Sequence, residues 1–216
     1  ENIISKFKDL KIAIFGDIIV DEYISCDALG MSREEPVIVL KPNEKLKYLG
    51  GAGIVASHAS SLGSKVFLFS VIGKDSNSNF VIDEIRKNNL NNNVIKDQSR
   101  VTTFKQRFRS DQKTMFKVSE LINDAISIDL QNKIVKKFTN IVKEIDIIVF
   151  SDFNYGMLPQ NLVDQIIRLA KENKIFVAAD SQSSSQIGDI SRFKNSDLLT
   201  PTEYEARVSS KNQDDG

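Results

Sequence analysis

A chain of 216 residues with 41% hydrophobic and 27% charged residues has enough apolar material for one sizeable α/β domain. Lysine plus arginine and aspartate plus glutamate are equal at 29 each, so no net field selects nucleic acid or an anionic membrane as the main partner. The single Cys26 excludes an intrachain disulfide and reads as a small apolar filler in a reducing, cytoplasmic setting, while no apolar run approaches a membrane span.

Residues 11–17, Lys-Ile-Ala-Ile-Phe-Gly-Asp, form an apolar run ending in Gly16-Asp17, the pattern of a central parallel strand that delivers a carboxylate to its C-terminal edge. Asp21 follows in a stretch, 18–25, that still reads as extended. Carboxylates just past a buried strand accept paired hydrogen bonds from sugar hydroxyls, so Gly16, Asp17 and Asp21 are candidate site residues. From 23 to 49 the pattern changes to two short strands, 35–40 and 45–49, joined by Lys41-Pro42-Asn43-Glu44, which reads as an antiparallel flap with one wet face.

The flap runs into Tyr48-Leu49-Gly50-Gly51-Ala52-Gly53-Ile54, where glycines hand over to a helix predicted at 52–62. Gly50 and Gly51 tolerate positive φ and leave room for a ligand, and the helix start presents unpaired N–H groups and a positive dipole end to an oxyanion or a hydroxyl. Gly51-Ala52-Gly53-Ile54-Val55-Ala56 also fits the dinucleotide fingerprint, but that fingerprint needs a buried parallel strand before it, and 44–49 alternates charged and apolar. A dinucleotide-binding oxidoreductase is the weaker reading.

A strand at 65–71, a helix at 77–89 and a polar connector at 88–93 come next. Residues 100–118 read as a second hairpin about the turn Ser110-Asp111-Gln112-Lys113, able to pair with the first into one small sheet. Lys105, Arg107 and Arg109 alternate there and share a face, which suits either solvent or a phosphorylated substrate. Helices at 128–144 and 159–172 alternate with strands at 146–151 and 175–180, then a short strand at 198–200 and a helix at 202–209. Strands separated by helices imply a parallel sheet covered on both faces, with Ser151-Asp152, Asp180-Ser181 and Thr200-Pro201-Thr202-Glu203 collected along one edge. His58, the only histidine, has no partner at nucleophile spacing, and no His/Cys metal constellation exists. Residues 181–185 form a serine-rich loop, and 211–216 a polar tail; both chain ends read as cut or unseen.

Gly16-Asp17-x-x-x-Asp21, Gly50-Gly51-Ala52, Ser151-Asp152-Phe153-Asn154-Tyr155-Gly156 and Thr200-Pro201-Thr202-Glu203-Tyr204-Glu205 resemble, in order and spacing, the PfkB (ribokinase-like) carbohydrate kinases. Within them the chain is most similar to the heptose 7-phosphate kinase domain of bifunctional ADP-heptose synthases. The resemblance implies one ribokinase-like domain over 1–216: a three-layer α/β/α core with a mainly parallel sheet, and a small β lid inserted at about 22–49 and 100–118 that serves as a homodimer interface. It implies ATP- and Mg²⁺-dependent phosphorylation of a hydroxyl on a sugar or sugar phosphate, with no nucleic-acid or membrane partner. Carried over, Asp17, Asp21, Gly50, Gly51, Lys105 and Asp152 face the sugar. Asp180, Thr202 and Glu205 face nucleotide and metal, Glu205 indirectly. Phosphoryl transfer is mostly positioning and charge stabilisation, which suits glycine turns and carboxylates.

The departures are specific. Ile54 stands where the family usually has asparagine, Thr202 replaces the asparagine of its N-x-x-E motif, and Tyr155 replaces a lysine of the heptose kinases. The family's Gly-Ala-Gly-Asp block, whose Asp is the general base, does not occur among the 216 residues. The expectation is an N-terminal portion that is inactive unaided. The alternative is a catalytically degenerate sugar-binding or scaffold module of the same fold.

Overall fold

The computed structural model describes residues 3–111, 113–183 and 186–211. Gln112 of the hairpin turn, 184–185 of the serine-rich loop and the tail 212–216 lie outside the described residues.

β1 (Lys11–Gly16) is the hub of the main sheet. Its apolar run is buried on both faces because it pairs in parallel with β4 (Lys65–Phe69) on one side and β10 (Ile147–Asp152) on the other. Beyond β10 lie β11 (Phe176–Ser181) and β12 (Leu198–Leu199); beyond β4 lies β6 (Asn91–Asn92). The six strands run in the order β12-β11-β10-β1-β4-β6, all parallel. Helices α1 (Ala52–Ser61) and α2 (Ser76–Lys87) cover one face, around Ile14, Ala56, Leu68, Val81 and Ile85. Helices α3 (Ile128–Thr139) and α4 (Gln160–Glu172) cover the other, around Phe15, Phe69, Phe138, Phe150 and Ile166. Phe15 stacks on Phe69 at 4.5 Å and meets the edge of Phe138 at 5.2 Å, so one strand residue ties sheet and helix together.

The small sheet has four strands in the order β3-β2-β8-β9: β3 (Ile38–Gly51), β2 (Ile18–Met31), β8 (Phe104–Ser110) and β9 (Lys113–Glu120). The two hairpins join through a parallel β2–β8 contact. The flap pattern at 35–49 predicts two strands, whereas β3 is a single 14-residue strand running to Gly51. Pro42 is tolerated inside it because β3 is the sheet edge and the ladder bulges opposite Ser25 and Cys26.

Three other boundaries shift. The strand at 65–71 breaks at Ser70, whose hydroxyl donates to the Gly16 carbonyl at 2.7 Å; the chain then leaves β1, and β5 (Val71–Ile72) pairs with β7 (Ile95–Lys96). The helix from 128 stops at Thr139 with Asn140 as its cap, and 142–144 form a separate 3-10 turn. The polar connector at 88–93 contains β6, held by the Asn91 side chain donating to the Val66 carbonyl at 3.0 Å. The last helix, α5 (Glu203–Ser210), starts on a capping box in which the Thr202 hydroxyl accepts from the Glu205 amide and the Glu205 carboxylate accepts from the Thr202 amide. Among the described residues no helix is long and apolar enough to cross a membrane.

Candidate active site

Because β1, β10, β11 and β12 are parallel, Asp17, Asp152, Asp180 and Thr200 arrive at one edge of the sheet. β3 reaches the same edge and ends in Gly50-Gly51, where α1 begins. Gly51 has φ 58°, left-handed backbone that suits glycine, and a side chain there would overlap the Asp17 carbonyl, which accepts from the Ala52 amide at 2.9 Å. The strand before the glycines is therefore an antiparallel strand of the small sheet, and the dinucleotide fingerprint lacks the buried parallel strand it requires.

On the small sheet, Asp21 lies opposite Lys105, and Tyr23 opposite Arg107, in the β2–β8 register. The Arg107 guanidinium donates to Asp21 Oδ1, while Asp21 Oδ2 leans over Gly50 so closely that a side chain at 50 would overlap it. Arg107 and Arg109 both stack on Tyr23, at 5.1 and 5.8 Å, and this extends the cationic face along the strand. Lys105 is buried, with its ammonium 5.8 Å from the Phe153 ring and 4.9 Å from the Tyr155 ring. Sequence and structure thus agree in bringing Asp21, Gly50, Gly51 and Lys105 together.

Asp17 is placed differently from the rest. Its side chain is 4% exposed and turned to the backbone of the 153–157 loop: Oδ2 accepts from the amides of Phe153 (2.9 Å) and Tyr155 (3.3 Å), and Oδ1 from Met157 (3.2 Å). Burial pushes its pKa up to about 6, nearby Asp152 adds to the rise, and the three amides hold it back. Asp152 is also fully engaged. It accepts from the Ser181 hydroxyl at 2.9 Å, the Asn154 amide at 3.1 Å and the Arg192 guanidinium at 3.3 Å, and burial raises its pKa despite Arg192. Asn154 and Gly156 have positive φ, which turns successive amides of the loop inward. Arg192 donates to the Leu158 carbonyl and to Asn154 Oδ1, and Arg100 to the carbonyls of Tyr155 (3.3 Å) and Asp124 (2.8 Å). Neither arginine carries a local sequence signal, since each reaches the loop from more than 30 residues away.

Beside this cluster opens a cavity of about 710 Å³, lined in part by Gly51, Ile54, Phe153, Asp180, Thr202 and Glu205. Its size suits a nucleotide. Asp180 is half-buried and accepts from the Thr200 hydroxyl at 3.3 Å; burial raises its pKa, and Glu205 adds to the rise. Glu205 is buried and accepts from the Ser183 amide at 2.6 Å, the Thr202 amide at 2.9 Å and the Thr202 hydroxyl at 2.8 Å. Burial alone pushes its carboxyl up, but these donors outweigh it and the pKa lies below the ordinary value. With both oxygens occupied, Glu205 braces the cavity wall. Among the described residues no group of three or more His, Cys, Asp or Glu side chains could hold a metal. Mg²⁺ that arrives on nucleotide phosphates needs only one or two carboxylates, and Asp180 on the cavity wall fits that part.

Comparison with known proteins adds three findings. A family profile described as pfkB family carbohydrate kinase matches residues 9–215. The protein "Bifunctional protein HldE" of Helicobacter pylori strain HPAG1 is 32% identical over 196 residues, covering 90% of this chain and 42% of that protein. Its counterpart in Campylobacter jejuni strain 81116 is 33% identical, covering 91% and 40%. The chain therefore spans about two fifths of the length of these curated relatives. Among solved structures, a carbohydrate kinase from Agrobacterium tumefaciens superimposes with TM-score 0.70 at 17% identity, covering 93% of this chain and 63% of that one. Arabidopsis thaliana ribokinase complexed with ribose and ATP gives 0.66 at 12%, covering 94% and 62%.

Proposed function

The chain belongs to the pfkB family of carbohydrate kinases, and from that premise we propose that it carries the acceptor side of an ATP-dependent kinase for a sugar phosphate, of the heptose 7-phosphate type. One observation supports the reading most: the Asp21–Arg107 pair above the glycine turn, with Lys105 beside it and Arg109 further along the strand, next to a nucleotide-sized cavity. Asp21 accepts from sugar hydroxyls, and the glycine turn lets the sugar approach the backbone. The cationic face of β8 meets the phosphate already on the acceptor, as arginine forks and lysine charges do. ATP supplies the phosphoryl group, and Asp180, Thr202 and the wall braced by Glu205 lie on its side of the crevice. Mg²⁺, a cytoplasmic location and a homodimer through the small sheet belong to the same reading.

The test is ADP release by the full-length protein with Mg-ATP and a heptose 7-phosphate, set beside the corresponding free heptose. The phosphorylated sugar is the expected acceptor, and Asp21→Asn raises its KM by about tenfold or more, because the variant loses a charged hydrogen-bond acceptor and leaves Arg107 unpaired. Equal use of the free sugar overturns the phosphate assignment. The second reading, a sugar-binding module without catalysis, is favoured by apolar Ile54 on the cavity wall. It predicts a thermal shift with sugar phosphate and none with Mg-ATP.

A further inference from the structure

Asp17 makes five hydrogen bonds. Its amide donates to the Ser151 carbonyl at 3.2 Å, its carbonyl accepts from Ala52, and its two carboxylate oxygens take the three amides of the 153–157 loop. It is thus bonded to the end of β10, to the first residue of α1 after the glycine turn, and to the loop. The loop ends up with Phe153 and Tyr155 stacked at 6.2 Å and 23°, a two-ring shelf, and the Lys105 ammonium rests over both rings. Arg100 holds the outer side of the loop through the Tyr155 carbonyl, and Arg192 through Asn154 Oδ1 and the Leu158 carbonyl just past its end, so the loop sits between the Asp17 anion and two cations. A carboxylate suits the inner position because it offers acceptors only, whereas an amide would turn a donor against backbone donors.

We propose that Asp17 is a positioning residue: by gathering the amides of Phe153, Tyr155 and Met157 it sets the aromatic shelf over which the ammonium of Lys105, the β8 residue opposite Asp21 in the β2–β8 register, is held. What Lys105 serves there rests on the kinase reading above; the mechanical link from Asp17 to Lys105 does not.

The experiment compares full-length wild type with Asp17→Asn, which keeps the shape and turns one acceptor into a donor. Two readouts need no substrate: hydrogen–deuterium exchange of peptides spanning 152–158, and the rate at which an amine-directed acylating reagent modifies Lys105, followed by mass spectrometry. Asp17→Asn is expected to speed exchange of that loop by about tenfold and acylation of Lys105 by severalfold, while peptides of β1 and β4 stay protected. A core variant of similar destabilisation, Ile166→Ala, is expected to change neither. Phe153→Leu, which keeps the amide bonds and removes one ring, is expected to speed Lys105 acylation alone, and it carries the test should Asp17→Asn fail to fold. An unchanged Lys105 rate in Phe153→Leu, or a loosened loop with an unchanged Lys105 rate in Asp17→Asn, overturns the proposal. A confirmed link together with no sugar phosphate binding would count against the kinase reading instead.

Discussion

Asp17 and Glu205 are both buried carboxylates that accept three hydrogen bonds, yet their pKa values move in opposite directions. The difference is first burial, which pushes Asp17 up most, with Asp152 facing it from β10 adding to the rise and the amides only partly compensating; at Glu205, at the start of a helix, the donors outweigh burial and favour the anion. This fixes a sign. A folded-state pKa of about 6, above the ordinary aspartate value of 3.8, means that the native state holds the Asp17 proton more tightly than the unfolded chain. The ionised group therefore costs stability above pH 6, and that cost is relieved as pH falls from 6 towards 4. Chemical denaturation at pH 7 and pH 5 should show wild type gaining stability relative to Asp17→Asn on acidification, by about 3 kcal/mol at the most over the full window. A gain on raising the pH would mean that the amides outweigh burial after all.

At the scale of elements, the glycine turn is where small sheet and core meet, and Gly50 tests that junction directly. A methyl group there overlaps Asp21 Oδ2, the end of a side chain that can swing away, rather than fixed backbone. Gly50→Ala should therefore leave the thermal midpoint within a few degrees, since about 1 kcal/mol is all a mild rearrangement costs, and should weaken sugar phosphate binding by about tenfold through the displaced carboxylate. Isothermal titration beside a melting curve separates the two effects. The turn, β1, β10, β11 and the helices were legible because their apolar periods, caps and glycines are local. β3 was not, because Pro42 normally breaks a strand and only an edge position and a bulge admit it. β6 was read as part of the polar connector 88–93 and β7 was not read at all, because their pairing with β4 and β5 is tertiary and two residues carry no period. The same limit hid Arg100 and Arg192 from the sequence, while Lys105, Arg107 and Asp21 were visible through strand alternation.

The whole molecule combines a closed core with an open appendage. The parallel sheet is covered on both faces, whereas the small sheet carries Leu46, Tyr48, Phe116 and Val118 in exposed positions, and β3 and β9 are free edges. The α/β alternation made the core predictable from one sequence, but assembly depends on surfaces that a strand pattern assigns equally well to solvent. Isolated exposed apolar residues are ordinary, and the four divide by face: Leu46 and Tyr48 share the face of Asp21, while Phe116 and Val118 form an exposed apolar pair on the opposite face. Phe116 stacks on Phe108 at 4.4 Å and 16°, so it is rigidly presented, and Val118 is on the same face two residues along. If the small sheet joins two copies, placing charge there should split the dimer without unfolding the core, which does not contact these side chains. Phe116→Glu combined with Val118→Glu is expected to shift the full-length protein from dimer to monomer in light scattering after size exclusion, with the far-ultraviolet circular dichroism unchanged. An unchanged dimer mass would assign the interface elsewhere and leave the small sheet as a cover for the acceptor alone.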